Sequence, residues 1–216
     1  DFNSKEIKAL RDESDIIIDG NYFEKQGKGF AFYCAGGNYL YDVAVLNNSG
    51  YSQSLWLGMW NADLLTGYTI TTGTKWPYGL KFLNNHINVY SYVGYGSTGF
   101  PLAVLSCSAN DITFRDCITT DYSVSNPCFA VYNSGSTAIT VNSLTFDNYQ
   151  SIIPAALGQV VDQIQVLGSS TIIGRLSIVN SNIDINNSGN GDRGLLNIQA
   201  GTVKNVFLSN IRYNAF

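Results

Sequence analysis

Residues 112–116 read Ile-Thr-Phe-Arg-Asp: two apolar residues alternate with variable ones, and a small polar residue follows. This period of two is typical of a β-strand with one buried face, and the polar residue suits a turn. The pattern recurs along the whole chain. Its copies begin at Ile16, Val43, Tyr68, Ile87, Ile112, Ile139, Leu176 and Val206.

A second apolar-x-apolar pattern lies between consecutive copies of the first. One turn of about 25 residues with two short strands cannot bury its apolar face alone, whereas stacked turns enclose a continuous core. A β-sandwich also has alternating strands, but it would not usually keep two motifs in fixed order through seven cycles. The sequence therefore predicts an all-β parallel β-helix, a solenoid of about eight rungs.

The polar residues that end the first strand form a predicted column. Stacked polar turn residues can hydrogen-bond along a stack, and 23 of the 216 residues are Asn, which tolerates tight turns. The column is predicted at Asn47, Thr72, Ser91, Asp116, Ser143, Asn180 and Asn210.

The repeat defines two regions. Residues 1–14 do not follow it and form an N-terminal cap or an incoming segment, whereas residues 15–216 form the parallel β-helix domain. Ser4 followed by Lys-Glu-Ile-Lys-Ala-Leu-Arg predicts a short capped helix, and an incoming rung is the alternative. Because the chain stops at Phe216, straight after a rung, we expect it to be a piece of a larger protein.

Composition narrows the class of partner. The net charge is −4, only 13% of residues are charged, and no basic block is present, which argues against nucleic acid. No apolar run reaches 18 residues, so no membrane insertion is expected. No CxxC or Cys/His cluster is present, so we predict no metal site and no cofactor. Cys34, Cys107, Cys117 and Cys128 are predicted to be small core thiols, although pairing of Cys107 or Cys117 with Cys128 stays open.

Longer connections concentrate in the C-terminal half. They are predicted at 119–127, 147–158 and 186–193, always between a first-pattern strand and the next second-pattern strand. In a stacked rod they would project from one edge of consecutive rungs and form a ridge beside a groove. Loops on a rigid scaffold often carry function, although tolerated surface insertions would look the same.

The repeat, with its Asn- and Gly-rich corners, resembles the pectin-lyase-like right-handed single-stranded parallel β-helices, and most of all the central domains of phage tailspikes. The resemblance covers about residues 15–216 and concerns the repeat pattern. It implies a homotrimer at the virion tail, outside the cell, that binds a bacterial surface polysaccharide, capsule or O-antigen. The polygalacturonase motifs are missing, and no pectate-lyase calcium site can be identified.

Candidate catalytic residues follow from the chemistry of glycosidic bonds. A glycosidase uses two carboxylates, and the stacking of rungs can bring such a pair together. Asp121, Asp147 and Asp192 lie in or beside the three long connections and are the catalytic candidates. Sugar rings stack on aromatic faces and need polar groups within reach, so the neighbouring Tyr122, Tyr149 and Arg193 are the carbohydrate-binding candidates.

Three functions are compatible with the sequence. The first is a bacteriophage tailspike module for receptor binding that recognises, and in some versions depolymerises, polysaccharide as an endoglycosidase or lyase. The second is a non-catalytic structural or receptor-binding segment of a trimeric viral fibre. The third is a secreted pectin-lyase-like enzyme, which the missing motifs weaken.

Overall fold

The computed structural model describes residues 5–9, 15–34, 42–60, 79–89, 103–106, 108–121, 129–132, 138–156, 161–187 and 193–215. Within these ranges every regular element is a β-strand and none is a helix, so none could cross a membrane as a helix. The strands are β1 (Lys5–Ala9), β2 (Ile16–Asp19), β3 (Tyr22–Cys34), β4 (Val43–Leu46), β5 (Ser49–Trp60), β6 (Leu80–Leu83), β7 (His86–Val89), β8 (Ala103–Ser106), β9 (Ala109–Arg115), β10 (Ile118–Asp121), β11 (Phe129–Tyr132), β12 (Ile139–Asp147), β13 (Gln150–Ala156), β14 (Val161–Leu167), β15 (Thr171–Val179), β16 (Asn182–Asn187), β17 (Arg193–Ile198), β18 (Thr202–Ser209) and β19 (Arg212–Ala215).

The described strands form two parallel sheets, which define three faces. The first face is the seven-stranded sheet β18-β15-β12-β9-β6-β4-β2. The twelve-stranded sheet contains two runs that meet at the long strand β5: β7-β10-β13-β16-β19 is the second face, and β8-β11-β14-β17 is the third. The chain visits the faces in the order first, second, third, as in β9, β10 and β11. This arrangement is consistent with a β-helix-like solenoid.

Register shows which residues stack. Leu80 pairs with Ile112, Ile112 with Leu144, and Leu144 with Leu176. Equivalent residues on these strands are therefore 32 residues apart, and not about 25 as expected.

Two of the expected first-pattern copies differ in register or placement, and a third lies outside the described residues. Ile87 lies in β7 of the second face, and Leu80–Leu83 holds the first-face position. Ile139 does begin β12, but it pairs with Thr171 and lies five residues before the residue aligned with Ile112. The copy at Tyr68 lies outside the described residues, and β4 bonds directly to β6, so no strand separates those two.

A two-residue turn joins the first face to the second. Its first residue has a left-handed backbone. Its φ is 64° at Gly20 and between 49° and 55° at the Asn and Asp residues, which tolerate this backbone better than other non-glycine residues. The expected polar column is confirmed at Asn47, Asp116, Asn180 and Asn210. It is wrong at Ser143, because Asn148 occupies that turn. Asn84 occupies the turn between β6 and β7, and Thr72 and Ser91 lie outside the described residues.

Stacked aromatic rings fill the core behind the first face. The centroids of Phe82 and Phe114 are 4.7 Å apart, those of Phe114 and Phe146 are 5.2 Å apart, and both pairs are nearly parallel. All three side chains are at most 2% exposed. Val45 and Ile178 extend this column on either side. The apolar residue at this position of each turn of the coil thus stacks on the equivalent residue of the next turn.

The second residue of the turn is buried in the middle of the coil, where Asn48, Asn85 and Cys117 form a polar ladder. Asn48 donates from both its backbone N and Nδ2 to Asn85 Oδ1, at 3.1 and 3.0 Å. Asn85 Nδ2 contacts Cys117 Sγ at 3.8 Å, and the Cys117 thiol donates to the Phe82 carbonyl. Cys117 is a free, buried cysteine, so its expected place in the core is confirmed and its pairing with Cys128 is wrong. Burial raises the pKa of its thiol, since the thiolate would lose its hydration.

Two expectations for connecting segments are wrong. Lys5–Ala9 is not a helix but a strand, β1, which pairs in parallel with Phe30–Cys34. A helix this short is marginal on its own, whereas the sheet edge supplies backbone hydrogen-bond partners. Most of the connection expected at 147–158 is ordered differently: Asn148 and Tyr149 form the turn, and Gln150–Ala156 is β13. The remaining connections, 122–128, 157–160 and 188–192, each join a second-face strand to a third-face strand.

Candidate functional site

Asp147 is the last residue of β12 and belongs to an ion pair. Arg115 Nε lies 3.1 Å from Asp147 Oδ2, and Asn180 Nδ2 donates to Oδ1 at 3.3 Å. Both carboxylate oxygens therefore accept hydrogen bonds from neighbouring turns of the coil. Only a quarter of the Asp147 side chain is exposed, whereas Arg115 is more than half exposed. This ion pair links the end of β9 to the end of β12 at the edge of the first face.

Tyr149 lies in the core, so its predicted role in sugar binding does not fit. Its side chain is 3% exposed, and its ring meets Phe146 edge to face with centroids 5.2 Å apart. The hydroxyl forms a 2.8 Å hydrogen bond with Thr119 Oγ1. A sugar can stack only on an exposed ring face, and this ring is enclosed. The physical reason is the turn: its second residue points inward, as Asn85 and Cys117 also do.

The other predicted residues are spread over two faces and the undescribed connections. Asp121 ends β10 on the second face, in register with Val89. Arg193 begins β17 on the third face, opposite Val161. Asp192 and Tyr122 lie outside the described residues. Asp121 and Asp147 therefore lie on different faces, and the described residues do not bring the predicted set together.

A polar cluster that the sequence did not reveal lies on the outer side of the second face. Asn182 on β16 pairs in register with Arg212 on β19, and Asp184 pairs with Asn214. Because successive strand residues point to opposite sides, these four positions share one side of the sheet. We call Asn182, Asp184, Arg212 and Asn214 the Asp184 cluster. The signal was present as two polar-x-polar segments in consecutive repeats, but the register was needed to align them.

Asp184 is held by amides on both oxygens. Asn182 Nδ2 donates to Oδ2 at 2.8 Å, and Asn214 Nδ2 donates to Oδ1 at 2.5 Å. The Asn182 amide cannot be turned round, because its oxygen would then face the carboxylate. That oxygen, Oδ1, is buried and accepts no hydrogen bond among the described residues.

Two isoleucines at diagonal positions, Ile118 and Ile152, form a short apolar strip beside the cluster. The column of Asn182 continues through Gln150 to Ile118, and the column of Asp184 continues through Ile152. Ile118 and Ile152 are partly buried, as are Gln150, Asn182 and Asp184, so each side chain still presents some surface. Small-molecule sites commonly combine an apolar floor with a few fixed polar groups. This part of the second face has both.

The described residues contain no group of three or more His, Cys, Asp or Glu side chains that could hold a metal ion. Comparisons with models of known protein families, with curated proteins and with solved structures found no match. A proposal of function therefore rests on the chemistry of the side chains.

Proposed function

We propose that the chain is a right-handed parallel β-helix of about eight rungs that acts as a bacteriophage tailspike-type module and binds a bacterial surface polysaccharide outside the cell. The observation that supports this proposal is the outer side of the second face. It combines amides, one carboxylate and one guanidinium with an Ile118–Ile152 strip, all on stacked strands.

Sugars match such a surface for two reasons. Their hydroxyls both donate and accept hydrogen bonds, as the amides of Gln150 and Asn214 do. Their C–H faces suit a modest apolar strip rather than a deep pocket. A long polysaccharide would also benefit from a repeating scaffold, because neighbouring strands present equivalent positions about 4.8 Å apart.

Recognition is better supported than cleavage. A glycosidase needs a second carboxylate within about 10 Å of the first, on either side of the scissile bond. Asp147 is engaged with Arg115 and Asn180, and Asp184 with two amides. Asp121 and Asp192 remain candidates for catalysis, within one subunit or between subunits of a homotrimer.

The structural segment of a trimeric fibre is the second candidate. One observation favours it: Ile17, at an outward position of the first face, is 68% exposed. Apolar residues on the side of a rod suit lateral association. This role and glycan binding are compatible in one molecule.

The test is a binding panel. Purified capsular polysaccharides and O-antigen lipopolysaccharides are immobilised, and binding of the chain is measured by biolayer interferometry, with duplex DNA as the control. We expect saturable binding to at least one polysaccharide and none to DNA. Failure to bind any glycan in a broad panel would overturn the proposal.

Cleavage is tested separately. Release of reducing ends from the bound polysaccharide would indicate hydrolysis, and new ultraviolet absorbance would indicate elimination. If cleavage occurs, Asp121→Asn, Asp147→Asn and Asp192→Asn are compared with the parent chain. Full activity in all three variants would reject these residues as catalytic.

A further inference from the structure

We infer that the Asp184 cluster is a sugar subsite that binds two adjacent hydroxyls of a neutral pyranose. The inference rests on the proposed polysaccharide binding and names the place and the kind of sugar. Asp184 is the only carboxylate in the cluster, and it lies at an outward position of β16 between Ile152 and Asn214.

The hydrogen-bonding capacity of Asp184 supports a diol. An ionised carboxylate offers about four lone-pair sites, and the amides of Asn182 and Asn214 occupy one on each oxygen. One further site on each oxygen is left. Two hydroxyls on adjacent ring carbons can donate to these two sites together, whereas a single hydroxyl uses only one. The resulting pair of hydrogen bonds is charge-assisted and therefore stronger than one between neutral groups.

The cluster is also fixed before any ligand arrives. Both amides hold the carboxylate in one orientation, and β16 and β19 are paired strands rather than loops. Little side-chain freedom remains to be lost on binding, so more of the interaction appears as affinity. Rigid elements are the more precise support for a site of this kind.

The charge of the cluster selects a neutral sugar. A uronate placed against Asp184 would bring two carboxylates together, which is unfavourable. Arg212 is exposed and pairs in register with Asn182, two residues along the strands from the pair formed by Asp184 and Asn214. Its guanidinium has five donors and no acceptor, so it suits the ring or glycosidic oxygens of the neighbouring residue of the glycan.

The first experiment changes the protein. Asp184→Asn removes the charge and one acceptor at nearly constant size, and we expect at least a tenfold loss of affinity for the polysaccharide identified in the panel. Asp111→Asn is the matched control, since Asp111 is an exposed aspartate on the first face, and its affinity is expected to be unchanged. Arg212→Gln, an exposed substitution with little risk to folding, is expected to weaken binding several-fold. Unchanged urea midpoints verify that the variants are folded.

The second experiment changes the ligand and does not depend on how a variant folds. Mild periodate cleaves the carbon–carbon bond between adjacent hydroxyls, so the treated polysaccharide is expected to lose its binding. Reduction of any uronic carboxyls to alcohols is expected to leave binding intact. Loss of binding after carboxyl reduction would overturn the neutral sugar in favour of an anionic one.

The two proposals fail in different ways. If the parent chain binds no polysaccharide, the proposed function itself is wrong. If the parent chain binds but Asp184→Asn and Arg212→Gln bind equally well, and periodate has no effect, polysaccharide binding stands and the Asp184 cluster is not its subsite.

Discussion

Replacing Asn85 with alanine should cost far more stability than replacing its neighbour Asn84. Asn85 is 1% exposed and is the centre of the buried ladder. Its Oδ1 accepts from the backbone N and from Nδ2 of Asn48, and its Nδ2 donates to the carbonyls of Val45 and Leu83 at 2.8 and 3.2 Å. Alanine removes all four hydrogen bonds and leaves both Asn48 donors without that acceptor.

The magnitude follows from the donors left behind. Each buried polar group that loses its partner costs about 1–3 kcal/mol, and some relaxation is expected around the small cavity. Asn48 Nδ2 keeps its hydrogen bond to the Ile18 carbonyl at 3.0 Å, whereas the Asn48 backbone N loses its acceptor. For the two Asn48 donors together we therefore expect about 2–4 kcal/mol. Since a domain of this kind is stable by about 5–15 kcal/mol, Asn85→Ala consumes a large part of that stability.

Asn84→Gly is the matched control. Asn84 is exposed, donates one hydrogen bond to Asn47 Oδ1 at 2.8 Å, and has a φ of 53°, which glycine adopts without strain. We expect a cost of about 0.5–1 kcal/mol. Equilibrium unfolding in urea, followed by circular dichroism and tryptophan fluorescence, measures both variants. Equal costs for the two substitutions would refute the buried ladder.

Three further predictions concern the stacking of the turns. Asp116 accepts from Asn148 Nδ2 at 2.7 Å but, as a carboxylate, cannot donate to Asn84, whereas Asn84, Asn148 and Asn210 each donate to the preceding turn residue. Asp116→Asn supplies that donor and should raise the free energy of unfolding by about 0.5–1 kcal/mol; a loss of stability would contradict the hydrogen bonding along the polar column of the turns. Burial raises the pKa of the Cys117 thiol above 9.0 in the folded chain. The buried neutral thiol therefore contributes fully to the free energy of unfolding below pH 9.0, and this contribution declines as the pH rises beyond it. Peptide mapping should show slow alkylation of Cys117 in the native chain and rapid alkylation in urea, and fast native alkylation would argue against its burial. Thr113 pairs in register with Thr145, about 4.8 Å away, so the double variant Thr113→Cys/Thr145→Cys should form a disulfide on oxidation. The control Thr113→Cys/Ser177→Cys joins positions two strands apart and should not form one. The reverse outcome would reject the register.

Alternation and turn chemistry identified strands but not the faces to which they belong. All three faces use the same two-residue period, so Ile87 and Leu80 look equivalent in the sequence although they lie on different faces. The choice is made by hydrogen bonds to strands 32 residues away, and no local window of sequence contains that information. The left-handed turns at Asn47 and Asn180 were predictable because few residues other than Asn, Asp and Gly adopt that backbone.

The candidate site was less predictable for the same reason. Tyr149 follows an Asp-Asn pair and reads as a loop residue, but its place as second residue of the turn sends it into the core. The Asp184 cluster depends on the pairing of β16 with β19, and a shift of one residue would have placed Asp184 against a different neighbour. The residue types suited to sugar binding were therefore predictable from sequence, and their arrangement was not.

The most direct test of glycan recognition is a crystal structure with an oligosaccharide prepared from the polysaccharide that binds in the panel. We predict that a sugar ring lies on the second face across β16 and β19, with two adjacent hydroxyls within hydrogen-bonding distance of the Asp184 carboxylate. An oligosaccharide bound on another face, with the Asp184 cluster left in contact with solvent, would contradict the account.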